Sequence, residues 1–327
     1  AVEREDLHEE EIIPVSRFIP TMQEFLDRIG EACPRFAFSN KISMKYRKTE
    51  YRNSKGRHLT SSGNSMEITL LIQNRGSGNM MDSVFVYDGN RFDDDTLLSQ
   101  LGSEYDAYYT PADIENGVYP VVIDPSYLFG TVLQHFVAEM YVSGASLLSG
   151  KLGQKIFAEN LSLSNDMNPT TNPGACFFDG EGCIAPDFRP TLIDKGTLTA
   201  LLTTKKSAKQ YGLPNLGTAA NIYDGVPNLG FNRFYVNATA PSLSSLVPGK
   251  SIYVVMASGG DTTPDGHFAT PVQLAYLMED GKLVGRLPEL NIGGGFYDML
   301  SKNYLGAAHN TPQQNNILCA VNMDVSK

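Results

Sequence analysis

Near the start of the chain, Pro20 is followed by TMQEFLDRIGEA, in which Met22, Phe25, Leu26 and Ile29 return at helical spacing. A proline in the first turn forfeits no hydrogen bond, because that N–H lacks an intrahelical acceptor anyway. The spacing therefore predicts a short amphipathic helix opening at Pro20. Between residues 41 and 73 the period changes. KISMKYRKTEYRN, SKGRH and NSMEITLLIQ read as strands around turn clusters, and connections this short join antiparallel neighbours, so a meander is expected. RGSGNMMDS reads as a loop or strand break. DDDTLLSQLGSEYDAY predicts a second helix, with aspartates at the positive end of its dipole.

The segment TPADIENG, residues 110 to 117, gathers Pro, Asp, Asn and Gly, and a different texture follows it. A boundary is placed there, dividing the chain into domains 1–116 and 117–327. VYPVVID reads as a buried strand. SYLFGTVLQHFVAEMY carries an apolar stripe of Leu128, Val132, Leu133, Phe136, Val137 and Met140, which predicts a single helix. Beyond it come short strands and two hairpin signals, Asp194-Lys195-Gly196 and Glu279-Asp280-Gly281. The expected fold class is α+β: an N-terminal α/β domain with an antiparallel meander, then a mostly antiparallel, barrel-like domain with few helices.

Composition narrows the function classes. The chain is 42% hydrophobic and 19% charged, ordinary for a globular protein, and no apolar run approaches the roughly 18 residues of a membrane span. The opening AVEREDLHEEEIIP is acidic and polar, unlike a secretory signal. A net charge of -10 argues against nucleic acid as a partner, since that affinity comes from cations neutralising phosphates. Cys33, Cys176, Cys183 and Cys319 form no C-x-x-C pair, so neither a zinc ribbon nor a disulfide framework is suggested, and a cytoplasmic location is expected.

Five segments in the second half carry a resemblance: GVYPVVIDPSYLFGTVLQHFVAE, SLLSGKLGQKIFAENLSL, FFDGEGCIAPDFRPTLIDKGTLTALLTTKKSAKQYG, VQLAYLMEDGKLVGRLPELNIGGGFYDMLSKN and NNILCAVNM. Their order resembles the C-terminal domain of the TldD/PmbA family, long labelled modulators of DNA gyrase and related to zinc peptidases. In the first half only YRNSKGRHL is similar to the family, whose N-terminal domain is usually longer. In catalytic members, the resemblance implies, His-Glu-x-x-x-His on the helix after the first strand supplies two zinc ligands and a base, and a cysteine near the C-terminus supplies the third ligand. Here Gln134 and Glu139 stand where those histidines would be, and His135 where the glutamate would be. Cys319 matches the third-ligand position. An amide oxygen is a weak zinc ligand, so no zinc or other cofactor is expected and the helix is left in a former zinc-site position.

The resemblance thus implies a non-catalytic, PmbA-like subunit that handles unfolded peptides, beside a TldD-like catalytic partner or as a homodimer. Two alternatives stand next to it. One is a self-sufficient metallopeptidase with a divergent site: His135 and Glu139 would share a helix face and, with Cys319, could offer N, O and S donors. The other is a stand-alone peptide-binding protein. Elsewhere, Asp261, Asp265 and His267 in GGDTTPDGHFATP could line a peptide cleft or simply build turns. Gly293-Gly294-Gly295 lacks the remainder of a phosphate loop, so backbone crowding at a helix start is expected. Asp179, Glu181 and Asp187 with Cys176 and Cys183 invite a metal reading, but DGEG resembles a turn and the group is taken as structural.

Overall fold

The computed structural model describes residues 2–221, 223–310 and 317–327. The chain opens with β1 (Val2–His8), α1 (Val15–Ala32), β2 (Phe36–Arg52), β3 (Arg57–Asn74), β4 (Ser83–Gly89) and α2 (Asp94–Tyr108). β3 is the spine of this first sheet. β2 pairs with it antiparallel along its length, while β1, parallel, and β4, antiparallel, share its other side. The meander of β2, β3 and β4 is as the turn clusters imply: Ser54-Lys55-Gly56 make the β2–β3 turn, and Arg57 and His58 run on with NSMEITLLIQ in one 18-residue strand. The acidic N-terminus, which has no apolar period, becomes β1 because β3 offers it an unpaired ladder.

Alternate β3 residues Met66, Ile68, Leu70 and Ile72 face inward and meet Met22, Phe25 and Ile29 of α1 and Leu97 and Leu101 of α2. Each large apolar side chain so buried stabilises the fold by about 1.5–3 kcal/mol. α1 begins at Val15, so Pro20 lies inside it rather than at its first turn. Its ring removes only a bond to the first helical turn, where Val15 and Ile19 are exposed and water can serve the freed carbonyl. α2 follows its prediction, with Asp93 accepting from the backbone N–H of Thr96 as N-cap.

After the linker come β5 (Gly117–Ile123), α3 (Pro125–Gly130) and α4 (Ala138–Val142), then short strands β6 (Leu163–Asn165), β7 (Thr191–Asp194), β8 (Thr197–Leu198), β9 (Ala219–Ala220), β10 (Asn228–Leu229) and β11 (Phe234–Val236). The last group is β12 (Lys250–Ala257), β13 (Asp261–Thr262), β14 (His267–Glu279), β15 (Lys282–Arg286), β16 (Leu290–Gly295), β17 (Tyr304–His309) and β18 (Ile317–Ser326). Five strands close a ring: β12 lies parallel to β5, and β5–β18, β18–β16, β16–β14 and β14–β12 pair antiparallel. The fold is α+β with a closed, barrel-like sheet. Period-two alternation sorts its faces. Cys319, Val321, Met323 and Val325 point into the barrel core, while Leu318 and Ala320 join a separate cluster outside.

Leu274 and Tyr276 of β14 point outward into the first region's core, so that core closes against the barrel wall. Both hairpin signals hold. Lys195, Gly196, Asp280 and Gly281 all have positive φ, the geometry that tight hairpins need at both central positions.

A second expectation, besides the helix start at Pro20, also fails. The stripe from Leu128 to Met140 does not form a single helix: α3 stops at Gly130, a 3₁₀ turn spans Leu133–Phe136, and Val137 is extended at φ -72°, ψ 128°. Leu202 N donates to Phe136 O at 2.8 Å and Ala138 N donates to Leu202 O at 3.2 Å. This strand-like pairing takes the groups a helical ladder would use, in a segment weakened by Gly130, Thr131, Val132 and Val137.

Candidate functional site

A cleft of about 630 Å³ lies between the first sheet and the barrel region. One wall is the outer face of β4, where Val86 and Asp88 alternate with the inward Phe85 and Tyr87. The opposite wall comes from the start of α3 and from Phe231–Tyr235, with Asp166 and Thr171 beneath. Rigid local bonding fixes these groups. Asp124 caps α3, its Oδ1 accepting from Ser126 N at 2.8 Å. Asp166 is buried and held by Arg189 Nε at 3.2 Å and Thr171 Oγ1 at 2.8 Å. The Arg189 guanidinium in turn lies 4.0 Å from the centre of the Tyr235 ring. Asp88 projects into the cleft, where loss of solvation raises its carboxyl above the usual range against the opposing pull of Arg233. The cleft thus sets aromatic bodies beside a few fixed donors and acceptors, the mix common to binding pockets.

The positions that the resemblance aligns with the family's ligands differ from the cleft in character. Gln134 and Glu139 are exposed, whereas His135 between them is buried. Because Val137 breaks the helix, His135 and Glu139 share no helix face, which corrects that expectation. His135 Nδ1 accepts from Leu147 N at 3.3 Å, its carbonyl accepts from Ser146 Oγ at 2.6 Å, and its ring lies 6.2 Å from that of Phe296. Burial lowers its pKa, favouring the neutral imidazole. Cys319 is wholly buried beside Tyr304, and burial pushes its thiol up to about 12. Among the described residues the ligand atoms of His135, Glu139 and Cys319 do not form a group within 4.8 Å of one another.

Among the described residues, the trio whose ligand atoms lie within 4.8 Å of one another is Asp179, Glu181 and Cys183. Its geometry is that of a turn. Asp179 Oδ1 accepts from the N–H groups of Glu181 and Cys183 at 2.9 and 2.7 Å, and Oδ2 from Ala219 N at 3.0 Å. Burial raises the Cys183 thiol. Asp187 takes a positive φ of 50° in the following turn, and Cys176 packs with Phe177 and Phe178. Asp261, Asp265 and His267 form a tight β13–β14 turn in which Thr263 N donates to His267 O. The glycine run is the end of β16, not a helix start alone: a Cβ on Gly293 would sit 2.6 Å from Phe268 O.

The sequence profile described as the PmbA/TldA metallopeptidase C-terminal domain matches residues 116–322. The chain belongs to this PmbA/TldD family. TldE from Thermococcus kodakarensis has a similar fold, with a TM-score of 0.79 and 20% identity over 98% of this chain and 78% of that one. The zinc metalloprotease TldD homolog of Saccharolobus solfataricus is 22% identical over 78% of this chain and 61% of its own length. A metalloprotease of Methanothermobacter thermautotrophicus is 26% identical over 57% of this chain and 42% of its own. The chain thus spans about half the length of the curated relatives it matches. Among the described residues no helix is long and apolar enough to cross a membrane.

Sequence reading singled out Gln134, His135, Glu139 and Cys319 but missed the cleft. Asp88, Asp166 and Tyr235 of the cleft, and Arg189 behind Asp166, come from four separate segments, and no spacing within one segment could signal them. Asn315 and Asn316, which open the last family-like segment, lie outside the described residues.

Proposed function

We propose that this chain is a non-catalytic, PmbA-like member of the family that grips unfolded peptides for a TldD-type zinc peptidase partner. The reading is supported by where the residues that the resemblance aligns with the family's ligand positions lie, on the surface and in the core. His135 is committed to Leu147 N, Cys319 is a neutral buried thiol, and Gln134 and Glu139 face solvent. The cleft beside β4 is the peptide-holding surface, because it offers aromatic faces beside fixed polar groups. Residues 1–116 and 117–327 act as two domains that meet at it, and the protein works in the cytoplasm. Pairing, with the partner or with a second copy, is supported by β2, which pairs only with β3 among the described residues and leaves a long edge.

Elemental analysis and peptide cleavage test this reading together. The purified chain is expected to carry no stoichiometric zinc and to leave an unfolded peptide intact, while a mixture with a TldD-type protein bearing His-Glu-x-x-x-His cleaves it faster than that protein alone. Stoichiometric zinc that disappears in His135→Ala would overturn the reading in favour of a divergent metallopeptidase.

A further inference from the structure

On the other side of the linker is a second cavity of about 660 Å³ whose lining is cationic. Arg35 and the Tyr108–Tyr109 pair come from the first region, Arg286 and Lys327 from the barrel, and Asp113 from the linker. Among these side chains three are positive and one negative, a local excess of two positive charges in a chain whose net charge is -10. Lys327 Nζ is held by Asp113 at 2.6 Å. Neither arginine makes an ion pair with a carboxylate among the described residues.

Instead each guanidinium lies on a tyrosine. Arg35 Cζ is 3.4 Å from the centre of the Tyr109 ring and Arg286 Cζ is 4.4 Å from that of Tyr108. The backbones beneath are equally fixed. Arg35 O accepts from Arg75 N at 2.9 Å, Arg286 N donates to Thr110 O at 2.7 Å, and Arg286 O accepts from Ala112 N at 2.9 Å. A single arginine stacked on tyrosine is ordinary surface packing. Two, on adjacent tyrosines around one cavity, are planar forks that present further in-plane N–H donors to it, the Arg286 fork also hydrogen-bonding the Tyr108 side chain. Asp82 hydrogen-bonds the Tyr108 side chain and also accepts from Asn74 N, Ser77 Oγ and Asn79 Nδ2.

We propose that this cavity binds a small organic dianion, a phosphate monoester or a dicarboxylate, gripped by Arg35 and Arg286, with its apolar body against Leu287 and Pro288. The geometry favours these ligands because guanidinium forks pair two donors with two oxygens, which a monovalent ion such as chloride cannot use. A ligand here touches both regions and the linker, so its binding energy braces their relative placement and raises the melting temperature of the whole chain.

Calorimetric titration of the full chain with phenyl phosphate, with succinate and with neutral phenol tests the site. One of the two dianions is expected to bind at a single site, more weakly as salt rises, and whichever binds identifies the head group; phenol is expected not to bind. Arg35→Gln and Arg286→Gln should each weaken binding about tenfold or more, in line with the worth of a charged hydrogen bond. The double variant Arg35→Lys with Arg286→Lys keeps the charge and the fold but loses the forks, and should also bind about tenfold more weakly. Absence of binding by both dianions at physiological salt would overturn the proposal, as would affinity unchanged in the Gln and Lys variants.

Discussion

Two buried polar side chains sit on opposite sides of the barrel wall and show different ways of living without water. Inside, at the broken helix, His135 is 8% exposed but has an N–H donor from Leu147 aimed at its ring, in a pocket closed by Phe296. Outside, Glu104 of α2 is also 8% exposed, wedged where the first region packs on Tyr253 and Tyr276. Its help comes from Gln100, and burial raises its pKa to about 7. The first site is a settled piece of core; the second carries a group that ionises at neutral pH. A buried polar group is quiet when local backbone satisfies its neutral form, and becomes a sensor when burial outweighs the hydrogen bond that supports its charged form.

The largest effect should come from the core around His135. Phe136 is wholly buried in the barrel cluster, so Phe136→Ala is expected to cost about 3–5 kcal/mol, and half-buried Leu133→Ala clearly less. Denaturant melts of the two variants check the order, and equal losses would mean that the 3₁₀ turn is more deeply packed than the structure has it.

Glu104 gives the next effect, through pH. Its folded pKa lies above the unfolded value, so its stabilising contribution is complete below about 4.5 and is lost as pH rises through about 7. Between those values, at roughly 1.36 kcal/mol for each pH unit, the cost approaches about 3 kcal/mol at alkaline pH. Glu104→Gln should flatten this decline and be the more stable protein above pH 8. A parent whose stability is level from pH 5 to pH 8.5 would break the comparison.

The smallest effects sharpen it. His135→Ala should cost about 1–2 kcal/mol, because it leaves the Leu147 N–H unpaired and a small void. Gln134→Ala and Glu139→Ala, both exposed, should stay within about 0.5 kcal/mol. A chelator should leave all three melts unmoved, and a chelator-sensitive parent would show that the former ligand positions still hold a metal.

The fold class, the β5 strand, α2 with its aspartate cap and the two hairpins were legible in the sequence, because each depends on a local rule: period, cap or positive φ. The family was legible too, through the order of five segments. The break at Val137, the place of Pro20 inside α1, and the pairing of the acidic N-terminus with β3 were not. Each is set by a partner far along the chain: Leu202 for Val137, the long β3 for β1. The same holds for sites. A glutamine where a ligand histidine is expected can be read from one segment. That His135 turns into the core, that Glu104 meets two tyrosines across the seam, and that Arg35 and Arg286 face one cavity depend on packing between distant segments. Local sequence fixes what a residue can do, and tertiary contacts decide which side chains and how much water it does it with.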